Sequence, residues 1–289
     1  MQSIDTLLFP RWIVPVEPEA VVLDDMALAI DQGRILDLLP AAAARNRYHA
    51  RNTLLLPNHC LLPGLVNAHT HLAMSLLRGY ADDLPLMQWL TGHIWPAEAR
   101  WVGETFVHDG TLLAAAELIR GGVTCVNDMY FFPDVAARAL GAAGLRAAIG
   151  LIVIDFPSAW ASGPDEYLEK GLALHEALRH DPLLTTTFAP HAPYTVSDET
   201  WAKIVMFARQ LDLPIETHLA ETQHEVDEAI AKTGMTPMQR LDRLGVERVD
   251  LLQFHWWTFE HPAWLDALHE MAKLREEGLV RAIGVTNFD

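Results

Sequence analysis

The spacing of apolar residues changes near residue 60. Before it they fall in short runs, Trp12–Val16, Ala20–Leu23, Met26–Ile30 and Arg34–Leu39, the last two separated by the turn-forming Asp31-Gln32-Gly33. Strands put alternate residues on opposite faces, so runs of this length between turns predict a half-buried sheet. No long amphipathic helix is visible there, and residues 1–60 are expected to form a small β-rich subdomain.

From Leu61 onward compact apolar runs alternate with longer helical ones. The predicted strands are Leu61–Ala68, Val123–Asp128, Leu145–Ile154, Leu183–Ala189, Leu213–His218, Asp250–Phe254 and Val280–Val285. The predicted helices include Glu104–Arg120, Pro164–Arg179, Asp198–Leu211 and Pro262–Glu277. Asp198 follows Ser197 and precedes Glu199, a helix start with acidic residues in its first turn. Strand–helix alternation with near-continuous apolar strands predicts the α/β class and a parallel sheet buried on both faces. Seven such strands predict a TIM-like (β/α) barrel that is incomplete, since closure takes eight. An open barrel has two unpaired edges, so association between copies through them is expected.

Barrel enzymes place their chemistry at the C-terminal ends of the strands. Histidines gather there: His69 and His71 after the first predicted strand, His191 after the fourth, His218 at the fifth and His255 at the sixth. The i, i+2 spacing of His69 and His71 sends both imidazoles to one strand face, where two nitrogens reach one ion about 2 Å away. With 14 histidines in 289 residues an H-x-H pair is nearly expected by chance, so the spacing alone leaves a hydrogen-bonded core pair as the alternative. His218, ending Leu213-Pro214-Ile215-Glu216-Thr217-His218, adds a third imidazole and the open, histidine-rich set of catalytic rather than structural zinc. Glu221 lies too far along to share that strand face. It suits the general acid/base that hydrolytic metal sites require, its alternative being a charge at a helix N-terminus. Together the two clusters predict one zinc ion, or another divalent metal, per chain.

Charge narrows the partners. The formal net charge is −17, from 21 basic and 38 acidic residues. Such a surface repels phosphate backbones and anionic membranes, which argues against both and for a small neutral or cationic substrate. Cys60 and Cys125 lie in apolar runs without C-x-x-C spacing and read as buried free thiols in a reducing cytoplasm. The N-terminus lacks a basic region and is interrupted by Pro10 and Pro15, so no signal peptide is expected. No apolar run approaches the roughly 20 residues that span a bilayer. A soluble cytoplasmic protein is the expectation.

Four segments carry a family resemblance: Pro63-Gly64-Leu65-Val66-Asn67-Ala68-His69-Thr70-His71, Leu76-Leu77-Arg78-Gly79, Ala189-Pro190-His191-Ala192-Pro193-Tyr194 and Thr217-His218-Leu219-Ala220-Glu221-Thr222. In this order they resemble the amidohydrolase superfamily, and within it the 5-methylthioadenosine/S-adenosylhomocysteine deaminases, with the triazine hydrolases nearby. The resemblance covers residues 1 to about 245. It implies that His69, His71 and His218 bind zinc, that Glu221 shuttles protons and contacts the purine, that His191 contacts substrate, and that Glu98 holds the ribose hydroxyls. Read alone, Glu98 is a solvated helix charge and His191 a capped loop residue. The implied reaction is hydrolytic deamination of an adenosine-type nucleoside, and the implied β-rich start is half of a composite sandwich.

The pattern breaks after Leu241-Asp242-Arg243-Leu244-Gly245. A deaminase of this kind later presents an eighth-strand Asp ligand, and no such segment follows. Val249–Trp257 and Glu277–Phe288 instead resemble two consecutive strands of an aldo-keto reductase, in which His255 assists carbonyl reduction and Asn287 touches the nicotinamide. The tyrosine, lysine and aspartate partners of that chemistry have no counterpart here. The expected organisation is therefore a β-rich segment (1–60), five barrel strands (61–246) and a reductase-like strand–helix–strand (247–289). His255 arrives where the deaminase expects a sixth-strand histidine. It either takes that place or is a surplus histidine at a strand end. The competing readings of the whole are an impaired or inactive chimeric barrel and an NADP-dependent reductase.

Overall fold

The computed structural model describes residues 1–246, 249–255 and 263–286. Pro262 and Asn287, to which the sequence assigned a helix start and a nicotinamide contact, lie outside the described residues. The chain divides into two compact units, Met1–Leu65 and Val66–Asp289.

The first unit is β-rich: β1 (Gln2–Ile13), β2 (Leu23–Asp24), β3 (Met26–Asp31), β4 (Arg34–Pro40), α1 (Ala41–Arg47) and β5 (Tyr48–Leu61). The sheet runs β2-β1-β3-β4, and β5 pairs with β1 in parallel. Ile4, Leu7, Phe9, Ala27, Ala29 and Tyr48 form its core. The turn into β4 closes where Gln32 N donates to Asp5 Oδ2 at 2.7 Å, with Gly33 at φ +72°, a left-handed conformation glycine adopts without strain. The two longest strands differ from expectation. Trp12–Val16 is only the tail of β1, and Ala20–Leu23 shrinks to β2. No expected run covers β5, because beyond the buried Tyr48 its apolar residues show no buried face: Leu54 and Leu55 are 49% and 63% exposed.

The second unit alternates strands and helices. In chain order they are β6 (Leu65–Thr70), α2 (Leu86–Trp89), α3 (Trp95–Trp101), α4 (Glu104–Arg120), β7 (Val123–Asp128), α5 (Pro133–Ala143), β8 (Arg146–Val153), α6 (Pro164–Leu178), β9 (Leu184–Pro190), α7 (Asp198–Leu211), α8 (Gln223–Thr233), α9 (Pro237–Arg243), β10 (Val249–His255), α10 (Ala263–Glu276) and β11 (Val280–Thr286). A one-turn-plus 3-10 segment, Leu72–Leu77, follows β6. The burial stripe of α7, Thr200, Trp201, Ile204, Val205 and Ala208, has the helical period. It packs with Phe188 of β9 in the main core. Ser197 caps this helix by accepting from Thr200 N.

The α/β class is as expected, whereas the sheet departs from a continuous seven-stranded arc. One sheet runs β6-β7-β8-β9, and β10 and β11 form a separate parallel pair. Leu213–His218 carries a single bridge, Phe188 to Ile215. It is nonetheless held along β9, with Phe188 N to Pro214 O, Glu216 N to Phe188 O and His218 N to His191 O at 2.9–3.0 Å. Pro214 lacks an N–H, which shortens the ladder. The expected burial of every strand on both faces fails at β6, β10 and β11, where Leu65, Val66, Leu251 and Val285 are 57%, 65%, 44% and 50% exposed. Cys60 is exposed and Cys125 half-buried, both free, so the buried-thiol reading does not hold. Cys60 sits on the open face of β5 rather than in the core. No helix among the described residues is long and apolar enough to cross a membrane.

The 3-10 segment after β6 packs against α4 through a glycine. A Cβ at Gly110 meets Ala73 O at 2.5 Å and Ala73 Cα at 2.9 Å. Helix propensity favours Ala over Gly by about 1 kcal/mol, but forcing this backbone apart costs about 1–3 kcal/mol. Gly110→Ala is therefore expected to lower the denaturation midpoint. A variant as stable as wild type would show that the two segments separate at no cost.

Candidate metal centre and its pocket

The end of β6 is tied to the end of β7, and this sets two imidazoles. Thr70 Oγ1 donates to Asn127 O and to Asp128 Oδ1 at 2.8 and 3.0 Å, Leu72 N donates to the same carboxylate oxygen at 2.7 Å, and Met129 N donates to Thr70 O at 3.0 Å. Asp128 is buried, and burial pushes its carboxyl up to about 6 against these hydrogen bonds. With Thr70 pinned on one side of the strand, His69 and His71 share the other. Leu213–His218 brings His218 to the same place.

The three rings converge. Their centroids lie 4.8 Å (His69–His71), 5.0 Å (His69–His218) and 5.2 Å (His71–His218) apart, and one nitrogen from each falls within 4.8 Å of the others. His71 Nδ1 lies 2.5 Å from Met129 O and His218 Nδ1 lies 2.9 Å from His191 O. A carbonyl only accepts, so these contacts assign the proton to Nδ1 and leave each Nε2 lone pair available. His218 Nε2 faces His69 Nε2 at 3.3 Å. Tetrahedral zinc with nitrogens at 2.0–2.1 Å places them about 3.3 Å apart, so the donor set fits such an ion. Burial, then the neighbouring imidazoles, lower His69 to about 3; burial also lowers His71 to about 4 and depresses His218. All three are neutral at pH 7, the form that binds metal.

Glu221 is held between two partners. Tyr194 Oη donates to its Oε2 at 2.8 Å, and its own backbone N–H donates to Glu225 Oε2 at 2.8 Å. Glu225 is the third residue of α8, capped by Thr222, and its carboxylate also accepts from Ala220 N at 3.2 Å. Ala220, at φ +54°, turns the chain so that Glu221 leaves the strand direction, as its sequence position implied. Burial raises the Glu221 carboxyl above the ordinary range, and the Tyr194 hydrogen bond partly offsets this.

His191 and Glu98 reach the same cavity. His191 follows β9, its Nδ1 3.1 Å from Thr195 Oγ1, its ring 5.0 Å from that of His218, and burial lowers it to about 3. Glu98 lies on α3, accepts from Tyr130 Oη at 2.7 Å, and is raised by burial. His71, Glu98, His191, Tyr194, His218 and Glu221 all line one cavity of about 360 Å³, whose remaining wall is mainly aromatic and aliphatic. His255 ends β10, outside the three-histidine group, yet near enough that its charge opposes protonation of His69 and His218.

Several supports were not among the residues the sequence singled out. Arg240 of α9 donates from Nε to Asp198 Oδ1 at 2.5 Å, from Nη2 to Val196 O at 2.8 Å and from Nη1 to Pro193 O, clamping the loop that carries His191 and Tyr194. Glu216 accepts from Thr187 at 2.8 Å and from Asn127, and burial raises it to about 7. The i, i+2 relation of Glu216 to His218 was the available signal for its inward orientation. Tyr194 stood inside a recognised segment without a role.

A model of the amidohydrolase family matches residues 60–283, a span that runs through β10 and α10 into β11. The chain is similar to the 5-methylthioadenosine/S-adenosylhomocysteine deaminase of Saccharophagus degradans, 48% identical over 242 residues, 84% of this chain and 54% of that protein. The protein of the same name from Teredinibacter turnerae is 45% identical over 244 residues, 84% of this chain and 55% of its own. The chain thus spans about half the length of these curated relatives. Among solved structures, an adenosine deaminase from Xanthomonas campestris with bound zinc superposes at TM-score 0.88 with 45% identity, covering 99% of this chain and 70% of that one. The zinc complex of atrazine chlorohydrolase from Arthrobacter aurescens has TM-score 0.80 at 18% identity, covering 97% and 72%, a likeness of fold.

Proposed function

Since this chain belongs to the amidohydrolase family, we propose that it is a hydrolase of C–N bonds that deaminates adenosine-type nucleosides, 5-methylthioadenosine among them, to the inosyl product and ammonia. The single observation that carries this is the convergence of His69, His71 and His218 beside Glu221 on the wall of one apolar cavity. The names of the relatives, adenosine and 5-methylthioadenosine/S-adenosylhomocysteine deaminases, favour a purine substrate over a triazine.

In this reading His69, His71 and His218 hold one divalent cation, zinc by the softness and number of the nitrogen donors. Such an ion supplies Lewis acidity and makes water a competent nucleophile at neutral pH. The chain's own residues do the rest. Glu221 takes one proton from the attacking water and gives it to the ring nitrogen as the oxygen adds to the amine-bearing carbon. It then takes the second proton, from the new hydroxyl, and gives it to the exocyclic amine, whose bond to carbon breaks as ammonia leaves and the carbonyl forms. A raised carboxyl suits both halves of that exchange. Tyr194 fixes Glu221, His191 contacts the purine edge, and Glu98, steadied by Tyr130, accepts from the ribose hydroxyls. A cavity walled by apolar groups excludes competing water and strengthens each of these contacts.

His255 is assigned the place of a sixth-strand histidine at this site. The support is its position at the end of β10 and its charge coupling to His69 and His218. His255→Ala is expected to cut ammonia release about tenfold, within the 10–100-fold that supporting groups of a metal site contribute. Unchanged zinc content and turnover would exclude the role. The amidohydrolase match extends to residue 283 and so takes in most of the segment 247–289 that the sequence likened to an aldo-keto reductase, a likeness with no support in the comparisons. No quenching by NADPH is expected in a fluorescence titration. A lack of nucleic-acid and membrane partners is proposed from the net charge of −17, and a cytoplasmic location from Cys60 and Cys125 both being free thiols. The reading as a whole is tested by zinc analysis of the purified chain together with ammonia release from 5-methylthioadenosine. Bound metal without ammonia favours the inactive barrel.

A further inference from the structure

Among the described residues that line the cavity none is lysine or arginine, and the acidic side chains are two carboxyls, Glu98 and Glu221. His71 and His218 direct Nδ1 at carbonyls, and His191 directs its Nδ1 at Thr195. The remaining wall includes Trp89, Trp95, Phe131, Phe156 and Pro157. Trp95 is one helical turn before Glu98 on α3, and its ring lies 6.5 Å from that of Phe156. If Glu98 holds the ribose hydroxyls, the 5′ substituent of a bound nucleoside sits beside this aromatic pair.

A carboxylate carried into that position meets no cation among the described lining residues and lies beside the acidic Glu98 rather than a basic group. Removing such a group from water without a partner is strongly unfavourable. An ammonium on the same tail finds Glu98 already shared between Tyr130 and the sugar. We propose that this pocket selects adenine nucleosides whose 5′ substituent is uncharged, a hydroxyl or a short thioether, and rejects the zwitterionic amino-acid tail of S-adenosylhomocysteine. The selection rests on the proposed nucleoside site and divides a substrate pair that the relatives' names join.

The test is equilibrium binding to the full chain, dialysed free of metal so that no ligand is consumed, followed by quenching of the pocket tryptophans. 5-Methylthioadenosine is expected to bind at least about 100-fold more tightly than S-adenosylhomocysteine, the price of an unpaired buried carboxylate being several kcal/mol. Phe156→Arg, which supplies a cation at the wall, is expected to narrow that gap at least tenfold. Affinities within threefold of each other overturn the selection. Ammonia release from both nucleosides by the metal-loaded chain would then leave the deaminase reading standing. Binding of neither nucleoside overturns both. A gap that a folded Phe156→Arg chain leaves unchanged overturns the placement of the tail against this wall.

Discussion

Replacing His218 with Ala is expected to abolish stoichiometric zinc and to lower ammonia release from 5-methylthioadenosine by about 1,000-fold or more. The magnitude follows from the several kcal/mol that a bound Lewis acid contributes to the barrier, each 1.4 kcal/mol being a factor of ten. His218 is chosen because its Nδ1 is spent on His191 O and its Nε2 faces His69 Nε2, which directs its free lone pair into the three-histidine group. The control is His180→Ala, an exposed histidine just beyond α6, which is expected to keep both zinc and turnover. Metal content is read by elemental analysis of the purified protein and folding by circular dichroism. A His218→Ala chain that holds one equivalent of zinc would remove His218 from the ligand set.

Glu221→Gln is expected to separate metal binding from proton transfer. The amide keeps the size of the side chain and can still accept from Tyr194, but it cannot carry a proton. General acid–base catalysis contributes roughly 100- to 10,000-fold, so kcat is expected to fall by about that range while zinc content stays at the wild-type level. KM is expected to change little, because the lost function operates in the transition state rather than in binding. Loss of zinc in this variant would make Glu221 a ligand and contradict its assignment as the proton carrier. Wild-type turnover would remove it from the chemistry altogether.

The convergence of three histidines was legible in the sequence because a strand writes its geometry into spacing. His69 and His71 are two residues apart and so share a face, and His218 ends a second apolar run. Glu221 was legible for the opposite reason, since three residues past a strand end it must leave that face. The helices Glu104–Arg120 and Asp198–Leu211 were read to the residue because an apolar stripe and acidic first turns mark their limits. What stayed hidden depends on chain partners remote in sequence. Asp128 binds Thr70 from 58 positions away, and Arg240 clamps Pro193 from 47 away. Strand β5 was missed because its outward apolar residues imitate no alternating pattern, and the break between β9 and β10 because apolar runs of equal quality do not say which neighbours they pair with. The roles proposed for Glu98 and His191 came from family resemblance alone, and the structure places both residues on the wall of one cavity.

The central claim is that three imidazoles from two separate segments hold one cation. Anomalous diffraction at the zinc edge on crystals of the metal-loaded chain tests it most directly. The expected result is one peak per chain, about 2.0–2.1 Å from Nε2 of His69, His71 and His218. A peak bound by other side chains, or none at these three nitrogens in a chain that holds zinc, would contradict it.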